Sequence, residues 1–147
     1  MNAPFDSPTF SGDAFRNAID DANRWRGRIV NLFARGELVV AKALQSDKAK
    51  PLPMVLSQRI ARLNSEVEDS PKRLAAVSNF VALTRDRNAI VHGSGRVYLG
   101  RDGFWLLTLE TIDKSGTHKR AISQADAEAQ DRELKVAVDQ LAAAFRP

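Results

Sequence analysis

The stretch from Ser11 to Gln45 contains no proline, and its apolar residues recur with a helical period. On a wheel of 100° per residue, Phe15, Ile19, Ala22, Ile29, Phe33, Val40 and Leu44 fall on one face. Asn17, Arg24, Arg28, Asn31, Arg35 and Lys42 fall on the opposite one. The pattern predicts one long amphipathic helix, opened by Ser11 with Asp13 in its first turn and ending near Gln45. The remaining elements must therefore cover its apolar face. Two charges, Arg26 and Glu37, lie on that face. A charge there must be paired, reach an edge or serve function. Gly27 and Gly36 weaken the expectation of a straight, unbroken rod.

The rest of the chain reads as further helices and a small sheet. Residues 1–10 carry Pro4 and Pro8 and read as a flexible N-terminal arm. Residues 46–53, with two prolines, form a linker. A second helix is expected from about Met54 to Val67, with Val55, Ile60 and Leu63 among its apolar positions. Ser70 and Pro71 make a strong restart, cap followed by first helical residue, for a third helix running to His92 and Gly93. Then the period changes. RVYLG, FWLLTLETI and THKRAI, separated by RDG and DKSG, predict a three-stranded antiparallel meander over about 96–122. Ser123-Gln-Ala-Asp opens a last helix with Leu134, Val138, Leu141 and Phe145 on one stripe. The predicted class is mainly α: an antiparallel bundle of about four helices, one domain over 11–147, with the meander inserted before the last helix.

Composition narrows the chemistry. The chain has 147 residues, no cysteine and two histidines. Thiolate metal sites, disulfides and a cysteine nucleophile are excluded, and no metal or other cofactor is expected. Lys and Arg number 22 against 18 Asp and Glu, a net +4 that leans towards an anionic partner such as nucleic acid. No apolar run is long enough to span a bilayer, and the first ten residues lack a signal peptide's pattern. No membrane association and a cytoplasmic location are the expectations.

The chemically informative segment is Arg85-Asp-Arg-Asn-Ala-Ile-Val-His92-Gly93. Arg87, followed by polar Asn88 and, after four intervening residues, by His92, resembles the signature of the HEPN superfamily. The motif match covers residues 85–93, and the helical architecture extends the resemblance to about 13–145. The resemblance implies a metal-independent endoribonuclease, leaving 2′,3′-cyclic phosphate and 5′-hydroxyl ends, or a relative that only binds. It also implies a homodimer with two motifs facing each other, RNA as partner, and a role as a toxin with a cognate antitoxin or as a phage-defence effector. Many small members lack a stranded meander like that at 96–122.

The residues themselves suit that chemistry. An imidazole exchanges protons near neutrality, which makes His92 the candidate acid or base. Arg87 is a fixed cationic fork for phosphate oxygens. Asn88, four residues before His92, shares its helix face and can orient the imidazole or hold a phosphate. Arg85, at spacings of three and seven from Asn88 and His92, extends the anion site on the same helical reckoning. Arg24, Arg28 and Arg35, with Lys42, form a stripe on the first helix that can follow a nucleic-acid backbone. However, Arg87 and His92 stand about 140° apart on an ideal helix. They converge only if the helix unwinds before His92 or a second subunit completes the site. One histidine also cannot be acid and base at once.

Each residue has a plainer role available. His92 can neutralise a helix C-terminus. Arg87 can pair with a buried acid, Glu37 being the candidate. The basic stripe can be a solvated face. Arg59 and Arg62 are solvated or line the dimer cleft. Trp105, Phe104 and Tyr98 read as core or interface aromatics rather than a base-stacking platform, and His118 as a surface histidine. The alternative function is a non-catalytic helical module that binds a protein partner or a nucleotide. A DNA-binding regulator ranks lower, because no helix-turn-helix pair is evident.

Overall fold

The computed structural model describes residues 11–45 and 50–147. The expected flexible arm at 1–10 and the start of the 46–53 linker lie outside these residues. The elements are α1 (Gly12–Gln45), α2 (Leu56–Glu66), α3 (Pro71–Ala82), α4 (Arg87–His92), β1 (Ser94–Leu99), β2 (Trp105–Asp113), β3 (Gly116–Ser123) and α5 (Gln124–Ala144). The protein is mainly helical with one three-stranded antiparallel sheet, ordered β1-β2-β3. Among the described residues, no helix is long and apolar enough to cross a membrane.

α1 is unbroken over 34 residues despite its two interior glycines. Gly36 explains itself: a Cβ there would lie 2.3 Å from the Phe80 ring of α3. The missing side chain lets a fully buried aromatic sit directly on the α1 backbone. Gly27 meets nothing within 4 Å and has no such role. The buried positions of α1 begin at Ala18. Phe15, expected on the apolar face, is 44% exposed because it precedes the part of the helix that other elements cover. Trp25, absent from the apolar set read above, is among the largest buried side chains. Its ring lies 6.2 Å from that of Trp105, tilted by 50°, and its Nε1 donates to the Ala127 carbonyl at 2.7 Å. That contact ties α1, the sheet and α5 together.

Two expectations about the helices are corrected. First, the predicted third helix is two. α3 ends at Ala82, a turn follows, and α4 begins at Arg87, so there are five helices among the described residues. No proline or glycine marks the break. Thr84 Oγ1 donates to the Val81 carbonyl at 2.7 Å, and the Asp86 carboxylate is drawn to Arg120 of β3, whose Nε donates to it at 2.6 Å. Second, the bundle is not antiparallel throughout. Trp25 meets Ala127, Arg28 meets Asp131 and Arg35 meets Asp139, so α1 and α5 run parallel. The three strands of the meander carry the chain back before α5 starts. α3 does run against both: Arg73 at its start reaches the Ala144 carbonyl near the end of α5, while Phe80 reaches Gly36. All three caps read from the sequence are present, with Ser11 accepting from the Ala14 amide, Ser70 from that of Arg73 and Ser123 from that of Asp126.

Alternation divides the sheet. Trp105, Leu107, Leu109 and Ile122 are buried against the helices. The opposite face carries Tyr98, Leu106, Thr108, Ala121 and their row neighbours, and no described element covers it.

Candidate functional site

The motif occupies α4, a helix of six residues between α3 and the sheet. Three charged contacts fix it. At its start, the Arg87 guanidinium holds both carboxylate oxygens of Glu37: Nε donates to Oε1 and Nη2 to Oε2, the latter at 3.2 Å. One residue earlier, Asp86 is engaged by Arg120. At its end, Arg26 Nε donates to the Ile90 carbonyl and Nη2 to the Gly93 carbonyl, each at 2.6 Å. Between these contacts, Ile90 is fully buried. The two charges on the apolar face of α1 are therefore both explained: Arg26 caps the C-terminal end of α4 and Glu37 clamps its first residue.

Gly93 joins this helix to β1. A Cβ at that position would lie 2.3 Å from the Ala89 carbonyl oxygen, so the chain turns there only without a side chain. Gly95 has a related role, since its Cβ would meet Arg26 Nη1 at 3.2 Å. The bare backbone at Gly95 makes room for the arginine that caps α4.

The side chains predicted to form the site are not all brought together. Arg87 and Asn88 line a cleft of about 560 Å³ with Glu37, Arg59, Phe80 and Val55. His92 is exposed and lies outside that lining. Helix unwinding occurs before Arg87, not before His92, so the 140° between Arg87 and His92 is preserved within one chain. Asn88 does not hold the imidazole: its Oδ1 accepts from Arg87 Nη1 at 3.0 Å. Arg85 falls in the α3–α4 turn, so its helical spacing to Asn88 and His92 does not apply. Arg59 lines the cleft and donates to the Pro53 carbonyl, whereas Arg62 pairs with Glu66 and the Pro51 carbonyl.

The basic stripe of α1 is partly occupied. Arg28 pairs with Asp131 and Arg35 with Asp139, each at 3.3 Å. Lys135 shares Asp139, and its hydrogen bond, followed by that of Arg35, lowers that carboxyl's pKa. Arg24 is exposed and has no partner among the described residues. Arg28 and Arg35 thus belong to a helix–helix seam between α1 and α5, a role hidden from sequence because their acids lie a hundred positions away.

The second histidine forms a small cluster on the β2–β3 turn. His118 Nε2 lies 2.8 Å from Ser115 Oγ and 3.0 Å from Asp113 Oδ1. Serine and aspartate meet the same ring nitrogen, so the imidazole cannot relay a proton from one to the other. The Ser115 hydroxyl, His118 and the Ser115 amide hold the Asp113 carboxyl down to about 2. Among the described residues, no group of three or more His, Asp and Glu is arranged to hold a metal ion.

Comparison with known proteins finds no matching family model, no matching curated protein and no matching solved structure.

Proposed function

We propose that this chain is a metal-independent endoribonuclease of the HEPN type, working in the cytoplasm as a homodimer on RNA. The observation that carries the reading is the contrast between α4 and His92. Arg26, Glu37 and Arg120 pin the motif helix at both ends, yet His92 is exposed and has no partner among the described residues. The plainer role for His92, neutralising a helix C-terminus, is already filled by Arg26.

The proposed reaction is displacement at phosphorus by the neighbouring 2′-hydroxyl. A base takes the 2′-hydroxyl proton, the bond from O2′ to phosphorus forms, and the bond from phosphorus to O5′ breaks. An acid returns a proton to the leaving O5′. His92 of one copy serves as base and His92 of the other as acid, and Arg87 faces the charge that develops on the phosphoryl oxygens. Two copies also resolve the angular separation of Arg87 and His92.

Total RNA incubated with purified protein in EDTA tests this. His92→Ala is expected to lower cleavage by roughly 10²–10⁴, and Arg87→Ala by roughly 10²–10³. Full activity in both variants rejects the assignment. A second reading, the non-catalytic module, draws on the Arg87–Glu37 pair, which leaves the guanidinium fork already filled by a carboxylate. That reading expects dimerisation and anion binding with no cleavage by the wild type.

A further inference from the structure

The outer face of the sheet begins two residues beyond His92. Ser94, Arg96 and Tyr98 alternate along β1 on that face. Their rows across the sheet are Ser94–Glu110–Lys119, Arg96–Thr108–Ala121 and Tyr98–Leu106–Ser123. Short side chains at Thr108 and Ala121 leave a dish of about 470 Å³, walled by Tyr98, Arg96, Lys119 and Glu110. Tyr98 is 49% exposed. Arg96 and Lys119 are exposed, stand on the two outer strands in neighbouring rows and lie roughly 12 Å apart across β2. Glu110 is the single acid in these rows, and it sits opposite Lys119, leaving the Arg96 side cationic.

We infer that this dish binds single-stranded RNA, with an unpaired base stacked on Tyr98 and flanking phosphates held by Arg96 and Lys119. Of the three meander aromatics expected in a core or an interface, Trp105 is in the core, whereas Tyr98 and Phe104 are exposed. An aromatic ring at one end of an open face, with two cations in the next two rows along it, can take a stacked base and the backbone beside it and tolerates any sequence. A duplex does not fit, because its bases are already stacked on each other. From Tyr98 back to Ser94 is roughly 14 Å of strand, a span of a few nucleotides, and the next exposed side chain along the chain is His92. The face would thus lead a single strand to the imidazole. This inference rests on the ribonuclease reading for its biological meaning, but binding is measured apart from cleavage.

The test uses a fluorescein-labelled mixed-sequence oligoribonucleotide, 2′-O-methylated at every ribose so that it cannot be cut. Anisotropy titrations are run on the wild type, Tyr98→Ala, Tyr98→Phe, the Arg96→Ala/Lys119→Ala pair, and Lys72→Ala as an exposed basic control on α3. Wild type, Tyr98→Phe and Lys72→Ala are expected to bind alike. Tyr98→Ala is expected to weaken binding ~10-fold. The double variant is expected to flatten the slope of log affinity against log salt by about 1.4, two single-strand phosphate contacts. The same oligomer in a duplex should compete poorly. No binding by the wild type at low salt, wild-type binding by both altered proteins, or equal competition by duplex overturns the proposal. So does sedimentation showing that Tyr98→Ala splits a dimer, which would make the face a contact between copies. Normal binding with no cleavage of unmodified RNA by the wild type rejects the nuclease reading and leaves the platform standing.

Discussion

Arg87 and Glu37, fifty positions apart in the chain, meet as a two-pronged ion pair between the first residue of α4 and the last third of α1. Their side chains are 26% and 22% exposed, so water screens the pair only in part. Removing the acid leaves a half-buried guanidinium without its carboxylate. Glu37→Ala is expected to destabilise the protein by about 1–3 kcal/mol, read from the midpoint of urea unfolding. On the nuclease reading it also lowers cleavage, because Arg87 loses the contact that aims it. A variant that loses stability but keeps full activity would assign the pair to folding alone.

The two interior glycines of α1 predict opposite signs. Gly36→Ala places a methyl against the Phe80 ring and is expected to cost about 1–3 kcal/mol in strain, minus about 1 kcal/mol of improved helix propensity. Gly27→Ala meets nothing and should stabilise by about 0.5–1 kcal/mol. Thermal melts of the two variants side by side should move in opposite directions. A shared direction would mean that Phe80 does not rest on Gly36.

Arg26 satisfies two carbonyls at the end of α4 with a single guanidinium. Arg26→Lys keeps the charge but loses the fork, and one ammonium cannot reproduce both contacts. Amide hydrogen exchange in α4 is expected to quicken in Arg26→Ala and nearly as much in Arg26→Lys. Full protection in the lysine variant would show that charge alone suffices.

The Asp113 carboxyl should titrate near 2, against about 3.8 for an ordinary aspartate. Its folded pKa is depressed, so its stabilising contribution is present above the unfolded value and is lost as pH falls through the folded one. The window runs from about 3.8 down to about 2. The group is fully exposed, so the effect is local to the turn. Carboxyl carbon shifts followed against pH should show the low midpoint, and Ser115→Ala should raise it, because the serine hydroxyl is its largest stabiliser.

Local chemistry made much of this fold readable. The period of α1, the Ser70-Pro71 restart, the Ser123 cap and the turns of the meander each rest on residues close together in sequence, and each is present. The pairing of Arg87 with Glu37 was also legible, because an acid on an apolar face needs a cation and few were placed to supply one. What failed were features decided at long range. The break between α3 and α4 runs through Thr84, Arg85 and Asp86, residues that carry no strong stop signal, and Arg120 on a distant strand helps to set it. The parallel run of α1 and α5 depends on how many strands separate them. The occupation of Arg28 and Arg35 depends on that same choice. For the candidate site, helical geometry already set Arg87 and His92 about 140° apart; what the sequence did not reveal is that the Asn88 side chain turns to Arg87 rather than to the imidazole.

Gly93 alone separates the last residue of the motif helix from the first residue of β1, and the Ala89 carbonyl leaves that corner no room for a side chain. A corner of one residue has no slack. The imidazole therefore takes its bearing from the sheet, as the tip of a bracket takes its bearing from the wall it is fixed to. Lengthening that corner by even a residue or two would leave the Arg87–Glu37 pair chemically intact and still change where His92 stands against the sheet.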